Sequence, residues 1–484
     1  MSKKRLFMLL SVLVVMGMVV AACAQPAAEA PAEEPAAEEE AAEPAAEEEA
    51  AEPAAAEEEP AGEKVQIRWY IGLGAGGQPE QVPLEEEFVA KYNESQDKIE
   101  LVMEVVQYDT AYDVLSTQLA AGEGPDIVGP VGVRALGTYG ESWLDLTDLI
   151  AEYDYDLTDF NPALVDFYKD ERYGQTALPF AVYPSVMWYN ADLFDEAGLE
   201  YPPHEFGAPY ADGDPWDWEK VRELAMILTV DANGNDATSP DFDPANIVQW
   251  GLEFQWTDPR GEATYVGGAN HVYDGASGAV IPDEWRAAWN WIYAGIWEDY
   301  FIPNDAHRNS DLLSAGQFGS GVVAMVPNNS WFICCYPQEA NWNIAAIPTG
   351  LDGNITAKLH ADTFAIMKGS KHPEEAFQVL MYMLGEGAPE LLSIYGAQPA
   401  RESLLETAQA QMAADHPDLD LQVFLDALEY PDVPNHEAWM PGINEANDRI
   451  GAFQTLMRST PGLDLDAEID TLRDDLQAIF DAAQ

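Results

Sequence analysis

Apolar and polar positions follow two alternating rhythms from residue 65 onward. Val65–Gly72 reads as a strand, and Leu84, Phe88, Val89 and Tyr92 recur at helical spacing. Ile99–Val106 is apolar too continuously for a one-sided sheet, which predicts a strand covered on both faces. Tyr112–Ala121 predicts a helix ended by Gly122, and Asp126–Val128 a third strand. This order predicts a parallel or mixed sheet flanked by helices. A second unit runs from about Tyr183 to Asn354. It holds strands at Ser185–Tyr189, Ile247–Phe254, Val322–Val326 and Trp342–Ile347, and helices at Trp218–Leu228, capped by Asp217, and Asp283–Trp297. Thr363–Met367 is again a strand, Pro373–Leu384 a helix, and the last stretch is helical. No repeat of 20 to 50 residues exists, which excludes solenoids and propellers.

The N-terminus follows neither rhythm. Residues 1–22 read as an export signal, with Lys3, Lys4 and Arg5 ahead of the apolar run Leu6–Ala22. Val20, Ala21 and Ala22 precede Cys23, an arrangement that resembles a bacterial lipobox and marks Cys23 for lipidation. Residues 24–64 contain 15 Glu and a single Lys, with Pro26, Pro35, Pro44 and Pro53 nine residues apart. Regular prolines and like charges keep such a stretch from folding, so residues 23–64 are expected to form a disordered tether. The protein is expected outside the cytoplasm, anchored to the cell membrane as a lipoprotein.

The 484 residues carry 22 basic and 86 acidic side chains, a formal net charge of -64. Residues 65–484 alone hold 18 basic and 71 acidic groups. A surface so acidic repels polyphosphates and excludes nucleic acid as a partner. Three Cys and seven His give neither a disulfide scaffold nor a zinc signature. The glycines after the first strand lack the spacing of a dinucleotide fingerprint, and no P-loop lysine follows them. No cofactor is expected.

Four segments then align with one family. They are the strand and glycines at Ile67–Gly74; Leu119–Gly122 leading to Gly124–Val128; Leu178–Phe180 followed by Trp188–Asn190 and Leu193–Phe194; and Phe364–Met367 leading to Ser370–Ala376. In this order they resemble the family 1 extracellular solute-binding proteins of bacterial ABC importers, which are maltose-binding-protein-like. The resemblance implies an α/β, two-lobed periplasmic-binding-protein fold of type II, with mixed sheets flanked by helices. By that likeness one lobe takes residues 65–182 and 360–397, and the other 183–359 and 398–484. The partners it implies are a small-molecule solute, an ABC permease with its ATPase, and the membrane through the lipid anchor. No oligomerisation signal is visible, so a monomer is expected, and it is expected to bind rather than to catalyse.

A sugar presents an apolar face and a rim of hydroxyls, which indoles together with amides or carboxylates match. Trp331, Trp256, Trp439 and Tyr183 are the aromatic candidates, and Asn328, Asn329 and Asp362 the polar ones. Gly72 and Gly74 would let backbone approach the ligand. Adjacent Cys334 and Cys335 either close a vicinal disulfide or remain two thiols. Asp231, Asn233 and Asn235 resemble the start of a calcium loop, but Phe242 stands where that loop needs Glu, so a plain turn is preferred and no metal is expected. Polyamines, peptides and other polar organic solutes remain alternatives, as does a lipid-anchored glycoside hydrolase.

Overall fold

A computed structural model describes residues 64–483 except 171, 276–277, 314–315, 337–340 and 433–439. The export signal, Cys23, the tether and Trp439 lie outside the described residues. Twelve strands occur among the described residues, and the eight used below are β1 (Val65–Ile71), β2 (Ile99–Val105), β3 (Ile127–Val131), β4 (Leu178–Asn190), β5 (Ile247–Leu252), β6 (Val323–Asn329), β7 (Trp342–Ala345) and β8 (Leu359–Ile366). The helices used below are α1 (Val82–Ser95), α2 (Tyr108–Ala121), α3 (Val133–Thr138), α4 (Trp218–Ile227), α5 (Pro259–Gly267), α6 (Asp283–Trp297), α7 (Pro373–Met383), α8 (Ala388–Tyr395), α9 (Ile443–Ser459) and α10 (Leu465–Ala482).

The sheet runs β2-β1-β3-β8-β4-β6-β5. β1 is parallel to β2 and β3, and β8 is antiparallel to both β3 and β4. Trp69, Tyr70 and Ile71 of β1 are fully buried, whereas β2, expected to be covered on both faces, is the edge strand and buries only Ile99 and Leu101. Helices begin and end where the caps stand. Asp217 accepts from the amides of Glu219 and Lys220 ahead of α4, and Gly122 closes α2 in the left-handed conformation at φ 75°.

β4 joins what the sequence pattern divides. All thirteen of its residues are buried. Its first half pairs with β8, up to Pro184 opposite Leu359, and its second half pairs with β6 and β7, beginning at Ser185 opposite Asn329. The two expected mixed sheets are thus one continuous path of strands. The expected strand, Ser185–Tyr189, is only the second half of β4. Pro179 and Pro184, which cannot donate to a ladder, masked the first half.

The C-terminal helices pack onto the β5 side. α10 buries Ile469, Leu472, Leu476 and Phe480, a single stripe at helical spacing. Tryptophans of α6 and α4 satisfy their N–H groups inside the core: Trp289 donates to Pro259 O at 2.8 Å and Trp218 to Tyr265 O at 2.7 Å. α9 is fastened by charge. Fully buried Arg458 donates to Glu262 Oε1 at 2.7 Å and lies 3.5 Å from Glu253 Oε1, both carboxylates being fully buried as well. Replacing Arg458 by Met leaves Glu262 with the neutral amide of Gln454 at 2.7 Å and Glu253 with the Phe254 amide at 2.7 Å and Arg308 at 3.4 Å. The expected loss of stability is about 3–5 kcal/mol in urea unfolding. A loss below about 1 kcal/mol would show that the ion cluster does not hold α9.

Candidate functional site

β8 crosses the middle of the sheet and carries His360 and Asp362, which stand two residues apart and so share one face of the strand. Asp362 is 6% exposed and accepts no hydrogen bond from the described residues. A side chain on Gly74 would start 3.3 Å from its Oδ2, and one on Gly132 would start 3.2 Å from its Oδ1. The carboxyl group therefore faces the turns at the carboxyl ends of β1 and β3, where an open α/β sheet presents its crevice. Burial pushes its pKa up to about 7. The buried hydroxyls of Tyr183 and Tyr168, both electrostatically coupled to Asp362, have no hydrogen-bond partner either.

The opposite wall is the start of α5. Asp258 caps the helix by accepting from Gly261 N at 2.9 Å, and it pairs with Arg260 at 2.6 Å. Arg260 reaches on to Asn447 Oδ1 of α9 at 2.9 Å. Surrounding protein raises the pKa of Asp258, but Arg260 and Lys358 outweigh this and hold it at about 2. Its side chain nonetheless keeps 43% of its surface open to solvent. The Lys358 stem lies over Gly261, its Cε 3.2 Å from where a side chain there would begin. Burial first, then the neighbouring Lys358, pushes His360 well below the usual histidine range, so its ring is neutral at pH 7.

Trp331 joins the two walls. Its ring meets His360 edge-on at 4.7 Å and leans on Tyr183 at 5.4 Å. Trp256 is 49% exposed and has a left-handed backbone, φ 54°, which a bulky residue rarely adopts. Such a residue standing open beside a crevice is what a ligand platform requires. Its neighbour is Phe332, 5.2 Å away in edge contact.

The structure reassigns several residues singled out in the sequence. Asn328 and Asn329 are buried and their amides are already engaged. Asn328 donates to Gln255 O at 2.7 Å and so holds the loop bearing Trp256. Asn329 donates to Tyr183 O and Lys358 O, and accepts from Tyr265. Both hold neighbouring backbone in place. Tyr183 is fully buried behind Trp331. Gly72, at φ 143°, serves the turn, since any side chain there would collide with Val106 O. Asp231 spends its oxygens on the amides of Asn233, Asn235 and Asp243, as the turn reading requires. Among the described residues no cluster of metal-ligating side chains occurs. Cys334 and Cys335 are joined as a disulfide. Cys334 lines a cavity of about 410 Å³ with Gln81, Ile394 and His416, so it is not part of the wall around Asp362.

Asp258, Arg260, Lys358 and His360 were not singled out in the sequence. Asp258 followed by Pro259 is a helix-start signal that was available. For the others the pairing across strands is needed.

A second buried acid lies near Asp362. Glu85 of α1 accepts from Tyr395 at 2.8 Å, and burial outweighs that bond and pushes its pKa up to about 8. A raised carboxyl pKa means the folded state holds a proton that the unfolded state has lost. Its contribution is therefore most favourable near pH 4 and is lost as pH rises to about 8. Glu85→Gln should remove this dependence. The melting-temperature difference, variant minus wild type, should grow between pH 5 and pH 8, and a constant difference would contradict the assignment.

Residues 75–388 match the family described as bacterial extracellular solute-binding protein. A lipoprotein from the oleD 5' region of Streptomyces antibioticus is 21% identical over 319 residues, which are 63% of this chain and 64% of that relative. An ABC substrate-binding protein of Listeria monocytogenes, solved in complex with cycloalternan, superposes with a TM-score of 0.69 at 20% identity, covering 86% of this chain and 99% of that one. An ABC transporter solute-binding protein of Thermotoga lettingae, bound with alpha-D-tagatose, gives 0.66 at 16% identity, covering 86% and 100%. The mixed α/β arrangement is the two-lobed periplasmic-binding-protein fold. With the matched region spanning most of the sheet and both walls of the crevice, the chain belongs to the bacterial extracellular solute-binding protein family.

Proposed function

We propose that this protein is a lipid-anchored receptor that captures a carbohydrate between its two lobes and hands it, chemically intact, to an ABC permease. Asp362 is the observation that carries the reading. A nearly buried carboxyl group with no partner faces a crevice rimmed by Trp331 and half-exposed Trp256. Sugar hydroxyls would supply the missing hydrogen bonds, and the apolar face of a pyranose suits an indole. Burying about 200 Å² on one Trp contributes at most ~5 kcal/mol before ordering costs. Two such contacts bring micromolar binding, about -8 kcal/mol, within reach. The ligands of the two structural neighbours, cycloalternan and alpha-D-tagatose, favour the same class. Polyamines fit less well, because Lys358 and Arg260 stand in the crevice.

A thermal-shift screen of mono-, di- and oligosaccharides, followed by calorimetry, tests the reading. A bound saccharide should lose about tenfold or more in affinity on Trp331→Ala and on Asp362→Asn. Hydroxyls donate to the ionised carboxyl, so wild-type affinity should rise as pH increases through about 7. Indifference to all saccharides, or hydrolysis of one, would refute it. The anchor is tested separately: Cys23→Ser should release the protein from the membrane fraction, and retention would contradict lipidation.

A further inference from the structure

The folded part has about four acids for each base, so an enclosed cation would ordinarily find a carboxylate. Nearly all do. Arg68, Lys220, Arg222, Arg260, Arg286, Arg308, Arg401, Arg449, Arg458 and Arg473 are partly or fully buried, and each has an acidic partner. Lys64 donates instead to two backbone carbonyls. Among the described residues two partly buried cations remain without a carboxylate or carbonyl, Arg134 and Lys358.

Both belong to the crevice. Lys358 precedes β8 and stands beside His360 and the start of α5. Arg134 lies in α3, two residues beyond Gly132, which borders Asp362, and its guanidinium sits 4.3 Å over the ring of Tyr112. Its buried Nε has no acceptor. Asp258 is committed to Arg260 and to the helix cap, although Lys358 also lowers its pKa, and buried Asp432 accepts from Leu359 N at 2.7 Å. His360 is neutral, so Lys358 has acids nearby but no carboxylate among the described residues at ion-pairing distance. At an ionic strength of 0.15 M the acidic surface is screened beyond roughly 8 Å, so what Lys358 can hold is set by its near neighbours rather than by the net charge of the chain.

We propose that the captured solute carries one anionic oxygen group, a carboxylate or a phosphate ester, which seats against Lys358 while its ring lies on Trp331. This deepens the carbohydrate reading and rests on it: the solute is an acidic sugar rather than a neutral one. A charge-assisted hydrogen bond in a partly desolvated site favours the acid over its neutral counterpart by about tenfold or more.

Calorimetry on the full folded chain with glucose, glucuronate and glucose 6-phosphate, and with galactose and galacturonate, reads the preference as a ratio of affinities. Wild type should favour an acidic member by about tenfold or more. The uronate arm identifies a carboxylate and the phosphate arm a phosphate ester. Lys358→Met should collapse the ratio to about twofold or less, Lys358→Arg should keep it, and exposed Lys371→Met should not change it. Circular dichroism melts establish that each variant is folded. Neutral sugars bound as tightly as acidic ones, or a ratio that survives Lys358→Met, would overturn the inference and leave the carbohydrate reading standing. Binding of glycerol 3-phosphate, run as a further probe, with no saccharide bound would overturn the carbohydrate reading and the acidic sugar with it. No binding of any probe would overturn both.

Discussion

The structure depends on a single strand that belongs to both halves of the sheet. β4 is buried throughout and changes partners between Pro184 and Ser185, from β8 to β6. At that change of partner the ladder cannot satisfy everything, and Asn329 closes the gap by donating to the carbonyls of Tyr183 and Lys358. The floor of the crevice is therefore fixed by backbone pairing and one buried amide. Side chains that rise from it, His360 and Asp362 from β8 and Trp331 just past β6, have their places set by the sheet rather than by loops. A binding site raised on strands keeps its geometry better than one raised on loops.

What the floor presents is polar and unfulfilled. Buried polar groups in folded proteins almost always find partners. Here Asp362, the hydroxyls of Tyr168 and Tyr183 and the cations Arg134 and Lys358 cluster without them. Elsewhere in the same chain comparable groups are paired closely, as in the Arg458, Glu262 and Glu253 cluster. The contrast separates these groups, unpaired among the described residues, from groups that hold the fold together. The bond between Thr138 of α3 and Asn444 of α9, 3.0 Å, together with the link from Arg260 to Asn447, shows α9 bridging toward both walls. The C-terminal helices, beyond the region matched to the family, thus support the rim of the crevice.

Much of the fold was legible from apolar periodicity and caps, because these are local. The strands β1, β2 and β3, the Asp217 cap and the Gly122 stop all follow from neighbouring residues. The first half of β4 was hidden by its prolines, and α5 was passed over although Asp258 and Pro259 announce it. The positions of Trp256 and Trp331 after strands were legible from the sequence, whereas Asp362, ahead of the expected strand Thr363–Met367, lies inside β8. The roles of Asn328 and Asn329 were not legible, since an amide beside a Trp in sequence looks the same whether it meets a ligand or a carbonyl. Lys358 and Arg134 were invisible for a different reason. A list of 18 bases among 71 acids says nothing about which bases lack partners; only packing decides that.

A crystal structure of the complex with the saccharide that most raises the melting temperature tests the central claim most directly. The account predicts a sugar ring lying on Trp331, with a hydroxyl within about 2.5–3.0 Å of a carboxyl oxygen of Asp362. Density for the solute elsewhere, for instance in the cavity lined by Cys334 and His416, with Asp362 still unpartnered, would contradict it.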